Sequence, residues 1–324
     1  MDITVAIPTY NGGDRIPFVL AALQNQQHQP QLNWEILVVD NNSTDRTSQI
    51  VHDYQSRLPR LRLCQETQQG AGYARQRAFR SAAGEIVAFL DDDTIPEPDW
   101  VQQVYEFAQA YPQAGAYGSR VRGRFDGELP PNFERIAPFF ALTDRGDRPK
   151  IYEKSSRLLP PSAGLAVRKL VWQTTVPERM ILTGRTKTSM LTGEDLEMLA
   201  HIQASPWQIW YNPAMQIHHQ IETWRLTPAY LRPFFRGIGL SRYITRMIGR
   251  PWAAKIALTV AYLGSDLVKI LRHLLRYRQS LKNNLVAVCE LELFWGSLIS
   301  PFYLGYLGLR LGRRSPVQSG GERS

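Results

Sequence analysis

Glu85-Ile86-Val87-Ala88-Phe89-Leu90-Asp91-Asp92-Asp93 runs a continuous apolar segment straight into three adjacent carboxylates, and Pro96 to Trp100 open a helix behind it. The unbroken apolar residues Val87 to Leu90, bounded by turn residues, fit a strand buried on both faces of a parallel sheet. Asp91, Asp92 and Asp93 then fall at its carboxyl end, the edge where open α/β sheets take their ligands. Adjacent carboxylates repel one another and are expensive to desolvate without a cation. A divalent metal supplies that cation, and hard oxygen donors suit Mg2+ or Mn2+ shared with substrate phosphates. The plainer reading makes Asp91 to Asp93 an exposed turn and helix N-cap ahead of Pro96.

Working outward, Ile3 to Pro8 reads as a buried first strand, followed by the turn Thr9-Tyr10-Asn11-Gly12-Gly13. A helix comes next, with Asp14 as its cap, Pro17 in its first turn and Val19, Leu20 and Leu23 at helical spacing. Glu35 to Asp40 is a second apolar strand that again ends in a carboxylate, and a helix carrying Ile50, Val51 and Tyr54 follows. Strands alternating with helices imply a parallel, doubly wound sheet. Asp40 and Asp91 then reach the same edge of that sheet.

Leu61 to Gln65 is a weaker strand, and Gly70-Ala71-Gly72-Tyr73-Ala74-Arg75 opens a helix whose glycines would let a phosphate approach backbone N–H groups. Arg75 would add a bidentate contact, or else lie on a solvated helix face. Neither GxGxxG nor GxxxxGK[ST] is present, so no dinucleotide or P-loop function is assigned. From Val121 to Arg157 prolines and charges predict a mobile loop over the site. Ser162 to Arg168 resumes as a strand, and Gly193-Glu194-Asp195 opens a helix with acids in its first turn, favourable to the helix dipole in any case. Trp207 to Tyr211 and Gln216 to His219 read as two further extended pieces.

The net charge of +9 over 324 residues is unevenly placed. Arg225 to Arg314 holds 15 Lys plus Arg against 3 acids, +12, leaving −3 for the rest. A nucleic-acid binder would show a basic stripe with interleaved aromatics near its site, and none is found, so no nucleic acid is expected. A basic segment rich in Leu, Ile, Trp and Tyr suits an anionic membrane surface. Between Trp252 and Arg278, Lys269, Arg272 and Arg276 share one side while Leu267, Leu271, Leu274 and Leu275 share another. Leu293 to Leu309 is uncharged, interrupted by Gly296, Pro301, Gly305 and Gly308, and reads as a re-entrant or interfacial piece. Cys64 and Cys289 show neither zinc nor disulfide spacing, which fits a reducing compartment, and Met1 to Pro8 has no basic leader. A cytoplasmic location follows, peripheral to or anchored at the inner face of the plasma membrane.

Taken in order, Thr9 to Asn11, Asp40 to Asp45, Gly70 to Arg75, Asp91 to Asp93, Gly164 to Arg168, Gly193 to Asp195, Trp210 to Pro213 and His218/His219 resemble glycosyltransferase family 2 over roughly residues 1 to 250. The run Ile221 to Arg246 and the basic C-terminus are similar to bacterial exopolysaccharide enzymes of the cyanobacterial hormogonium polysaccharide type. The resemblance implies a GT-A fold with a mostly parallel central sheet, and an inverting transfer from a nucleotide-diphosphate sugar, UDP favoured, to a lipid-linked or polysaccharide acceptor. It assigns Thr9, Asp40, Arg75, Asp91 and Asp92 to nucleotide binding, Asp93 with His219 or His218 to the metal, Asp195 as general base and Glu194 to acceptor positioning. Residues 1–224 would form the catalytic domain, 225–312 a membrane-associating helical segment and 313–324 a disordered tail. Two alternatives are a sugar-nucleotide nucleotidyltransferase, for which Thr9 to Gly13 lacks the Arg-containing Gly-rich loop, and a membrane-associated scaffold without activity.

Overall fold

Strands β1 (Ile3–Thr9), β2 (Trp34–Asp40), β3 (Leu61–Gln65) and β4 (Ile86–Phe89) form the parallel half of the sheet in this computed structural model, which describes residues 1–155, 158–185 and 191–312. Helices α1 (Ile16–Gln24), α2 (Thr47–Gln55) and α3 (Ala71–Ser81) connect them. The chain continues through β5 (Thr94–Pro96), α4 (Trp100–Ala110), β6 (Ala114–Phe125), β7 (Lys150–Ile151), β8 (Leu165–Arg168), α5 (Lys169–Thr175), α6 (Glu194–Gln203) and β9 (Gln208–Ile221). Among the described residues the strands order as β3-β2-β1-β4-β8-β6-β9-β5, with β7 paired to β9. The added half is mixed, since β8 runs antiparallel to β4 and β6, whereas β9 is parallel to β6.

Register explains why one edge becomes a site. Thr9 lies beside Asp40, and Ala6 lies beside Phe89, so Asp91 to Asp93 emerge just past the level of those strand ends. Alternate residues of the parallel strands fill two cores. Val5, Ile7 and Val38 pack with α1 and α4, while Ala6, Leu37, Val39 and Phe89 pack with Phe79 of α3 and Leu199 of α6.

Several local expectations change. Helix α1 begins after Arg15 with no side-chain cap, so Asp14 is not its cap. The Gly70 to Gly72 turn is not open to a phosphate. The Gly72 N–H donates to the Thr183 carbonyl at 2.9 Å, and the Gly70 N–H donates to Asn41 Oδ1 at 2.7 Å. A Cβ on Gly70 would lie 2.5 Å from the Thr183 oxygen, so the glycines admit a crossing chain rather than a ligand. The two expected extended pieces after Trp207 are one strand, β9. Within the expected mobile loop, Val121 to Phe125 extends β6, and Phe133, Ile136 and Phe140 pack against Ile221 and Phe235 in a third core.

The C-terminal portion is helical: α7 (Pro228–Met247), α8 (Trp252–Tyr277) and α9 (Leu285–Gly312). Gly296 does not interrupt α9. Its Cα lies where a Cβ on Gly239 of α7 would come within 2.8 Å, so paired glycines let the two helices cross closely. Asp266 of α8, 1% exposed, accepts from Arg246 of α7 at 2.7 Å and Ser297 of α9 at 2.6 Å, tying the three helices together. Burial raises its pKa, but those hydrogen bonds outweigh burial and hold it below the ordinary value. One described helical stretch, Leu285–Tyr303, is long and apolar enough to cross a membrane, and 44% of it is buried. The expected tail, together with Arg313 and Arg314, lies outside the described residues.

Candidate active site

The carboxyl edge opens on a cavity of about 1980 Å3 whose lining includes Thr9, Asp91, Asp92, Asp93, Glu194, Asp195 and His219. Asp92 accepts from Thr9 Oγ1 at 2.6 Å and takes two bonds from Arg15, at 3.0 Å from Nε and 3.1 Å from Nη2. Burial, followed by the adjacent Asp93 charge, nevertheless pushes the Asp92 carboxyl upward. Asp91 and Glu194 share Arg75, whose Nη2 lies 3.1 Å from Asp91 Oδ1 and whose Nη1 lies 2.5 Å from Glu194 Oε1. Ser162 Oγ completes the set at 2.9 Å from Arg75 Nη2. Arg75 is therefore neither a solvated helix cation nor a free phosphate ligand, but a buried tie between β4 and α6. Burial raises the Glu194 pKa against the pull of Arg75.

Asp195 sits in the first turn of α6, beginning just after Gly193 in left-handed conformation at φ 100°. Its Oδ2 accepts from the Ser162 N–H at 3.1 Å and its Oδ1 from the Leu196 N–H at 2.8 Å. Two backbone donors thus fix the carboxylate while its remaining lone pairs face the cavity wall it shares with Asp91 to Asp93.

Strand parity separates the two histidines. Met215, Ile217, His219 and Ile221 point inward, so His218 turns the other way, with Nε2 2.7 Å from Glu97 Oε1. His219 Nδ1 donates to the Phe140 carbonyl at 2.8 Å, which turns Nε2 toward Asp93 Oδ2 at 3.3 Å. Arg225 Nη1 lies 2.7 Å from Asp93 Oδ2 and 3.0 Å from His219 Nε2. Burial raises the Asp93 pKa, but His219 and Arg225 lower it by more and hold it well below the usual carboxylate range. Asp93 Oδ1 is buried without a hydrogen-bond partner among the described residues. An unsatisfied carboxylate oxygen beside an imidazole anchored through its other nitrogen is a donor pair that fits a divalent ion. Among the described residues no group of three or more His, Cys, Asp or Glu could hold a metal, so substrate oxygens and water would complete such a site.

Asp40 lies at the same edge but faces away. It is 1% exposed and accepts from the Ser43 N–H at 2.9 Å, from Gln65 Nε2 at 3.2 Å and from Ser48 Oγ, so it shapes the loop after β2 and does not line the cavity. Four residues escaped the sequence reading: Arg15, Ser162, Arg225 and Arg185. Arg185 lines the cavity, donates to Tyr230 Oη at 2.7 Å and lies 5.7 Å from the Phe234 ring centre. It has no carboxylate within ion-pair distance among the described residues.

A parallel half, acids beyond β4 and an added mixed half carrying α6 and His219 define the GT-A architecture. The whole-chain comparison agrees: the crystal structure of Staphylococcus aureus TarS 1–349 in complex with UDP superimposes with a TM-score of 0.51 at 18% identity, over 99% of this chain and 95% of that one. Residues 4–163, just under half of the chain, match glycosyl transferase family 2. Glycosyltransferase AglE of Haloferax volcanii is 35% identical over 31% of this chain and 33% of its own length. The poly(ribitol-phosphate) beta-N-acetylglucosaminyltransferase TarS of Staphylococcus aureus is 41% identical over 29% of this chain and 16% of its own. The matches thus span a third or less of these relatives.

Proposed function

We propose that the chain is an inverting glycosyltransferase that moves a sugar from a nucleoside-diphosphate sugar to a hydroxyl of a lipid-linked or polysaccharide acceptor. One observation carries this reading: Asp195, fixed by two backbone N–H groups, and the Asp91 to Asp93 cluster line the same cavity. UDP is favoured as the donor nucleotide because the structural neighbour TarS is seen in complex with UDP.

In this reading the acceptor oxygen bonds to the anomeric carbon as the bond from that carbon to the diphosphate oxygen breaks. The acceptor proton passes to Asp195, and the electron pair of the broken bond stays on the diphosphate. Ser162 and Leu196 hold the base in line, while Arg75 and Glu194 fix α6 against β4. Arg185, free of any carboxylate partner among the described residues, is the cation available to the diphosphate. Thr9 and Arg15 orient Asp92 toward the donor. A magnesium or manganese ion held by Asp93 and His219 would stabilise negative charge on the leaving diphosphate.

The outer face of α8 supports attachment to the cytoplasmic leaflet. Trp252, Val260 and Leu275 are 77%, 68% and 72% exposed, with Ile256 and Leu271 between them, while Asp266 and His273 face inward. Lys255, Arg272 and Arg276 flank this apolar stripe, a pairing that suits anionic lipid. The test of the transfer reaction is release of nucleoside diphosphate from UDP-, GDP- and dTDP-sugars, with the anomeric configuration of the product read by NMR. Consumption of one nucleotide class with inversion is expected; retained configuration would overturn the inverting assignment, and no consumption of any donor would overturn the transferase.

A further inference from the structure

The part of the cavity walled by α6, α7 and α8 has a different character from the acid edge. Arg242, Arg246, Arg250 and Lys269 line it. A single carboxylate, Asp266, answers them, at 2.7 Å from Arg246 and 3.3 Å from Lys269. The Arg242 side chain makes no hydrogen bond or ion pair among the described residues. Burial and the nearby Arg246 pull its pKa down to about 10. A half-buried guanidinium held beside other cations with nothing to bind is costly, and an anion entering the cavity would remove that cost.

Arg242 and Arg246 lie on α7, which runs beside α6, the helix that carries Asp195. A Cβ on Gly193 would lie 3.2 Å from Ser241 Oγ, and one on Gly249 would lie 3.3 Å from Ala204 Cβ. Helix α7 therefore runs beside α6, with Arg242 level with Asp195 and Arg250 near the far end. From Arg242 to the end of α7 at Met247 the chain rises roughly 7 to 8 Å, and Arg250 lies beyond that end. Arg242 and Arg246 are four apart and share a face, and Arg250 follows after the left-handed Gly249 at φ 71°. Arg250 is exposed at the mouth.

We propose that this end of the cavity is an acceptor subsite for a phosphate group, with Arg242 and Arg250 as its principal contacts and Arg246 and Lys269 held in place by Asp266. The assignment rests on the transferase reading, because the acceptor hydroxyl must reach Asp195 while its phosphate lies along α7. Planar guanidinium groups match phosphate oxygens in pairs, and a neutral sugar gives them no such partner.

The experiment titrates farnesyl phosphate and glycerol phosphate calorimetrically into full-length protein presaturated with UDP, so that the donor side is filled. The expected result is binding of at least one of them, weakened roughly tenfold or more in Arg242→Ala/Arg250→Ala, with UDP affinity unchanged. Binding of farnesyl phosphate alone supports a phosphate carried on lipid, and equal binding of both supports one carried on a polymer. No binding to folded, UDP-saturated protein, or equal affinity in the double variant, would overturn the subsite. If UDP itself does not bind, the transferase reading fails, and the same phosphate titration without UDP still judges the basic cluster. Should the double variant not fold, Arg250→Ala alone, exposed and outside the helix, carries the test.

Discussion

The two ends of the cavity handle charge in opposite ways. At the acid edge the arginines are largely taken: Arg15 by Asp92, Arg75 by Asp91 and Glu194, Arg225 by Asp93. At the other end Asp266 pairs with Arg246 and Lys269, while Arg242 and Arg250 have no carboxylate within ion-pair distance among the described residues. The first arrangement places carboxylates where they are costly and then pins them, leaving Asp93 Oδ1 and the Asp195 carboxylate for the chemistry proposed above. The second leaves cations unpaired where an anionic group can reach them. Paired charges therefore mark the machinery, and unpaired ones mark what the ligands bring.

The sharpest break of this contrast is at Asp195. Asp195→Asn keeps the shape and the Ser162 contact but removes the proton acceptor, so turnover falls by about 10² to 10⁴ with donor binding retained. A steady-state assay with the UDP affinity measured on the same sample checks it, and unchanged turnover would remove Asp195 from the role. Next in size is Gly296→Val in α9. The new Cβ would lie 2.5 Å from the Arg236 carbonyl oxygen, a backbone atom that cannot swing away, so the α7–α9 crossing must open. The expected cost is about 3 kcal/mol by chemical denaturation. A variant as stable as the parent would show that the crossing adapts.

Glu35 is a paired acid far from any chemistry and so sharpens the contrast. It accepts from Thr4 Oγ1 at 2.7 Å, Arg62 Nε at 2.7 Å and the Ala83 N–H at 2.8 Å. Burial raises its pKa, but these donors lower it further, so its stabilisation is present above the unfolded value near 4.3 and is lost as pH falls through the lower folded value. Glu35→Gln is expected to cost about 1 to 3 kcal/mol at neutral pH and to flatten part of the acid dependence of the melting temperature. An identical acid profile in parent and variant would contradict this. The smallest effect concerns α8. Trp252→Glu/Val260→Glu should weaken cosedimentation with anionic vesicles roughly tenfold while changing stability by less than about 0.5 kcal/mol. Equal vesicle binding would move the membrane contact elsewhere.

Much of the acid edge was legible because it is local. An apolar strand running into carboxylates reports its own burial and its own edge, and β2, ending in Asp40, and β4, ahead of Asp91, follow that rule. His219 was also within reach, since Ile217 and Ile221 share its parity on β9, but reading that stretch as two pieces left His218 open. The cations were not legible in the same way. Arg15 meets Asp92 across 77 positions and Arg225 meets Asp93 across 132, distances over which spacing carries no signal. The glycines at 70 and 72 misled for a related reason: a turn that admits a ligand and a turn that admits a crossing backbone have the same composition. Asp40 shows the limit from the other side, being at the right edge of the sheet yet consumed by Ser43, Ser48 and Gln65.

The most direct test of the central claim is calorimetric titration of UDP, GDP and dTDP, each with and without manganese, into the parent protein and Asp93→Ala. Saturable, manganese-dependent binding of one nucleotide, lost in the variant, is the predicted result. Absence of binding by folded parent protein, or manganese dependence that survives in Asp93→Ala, would contradict the account of the acid edge.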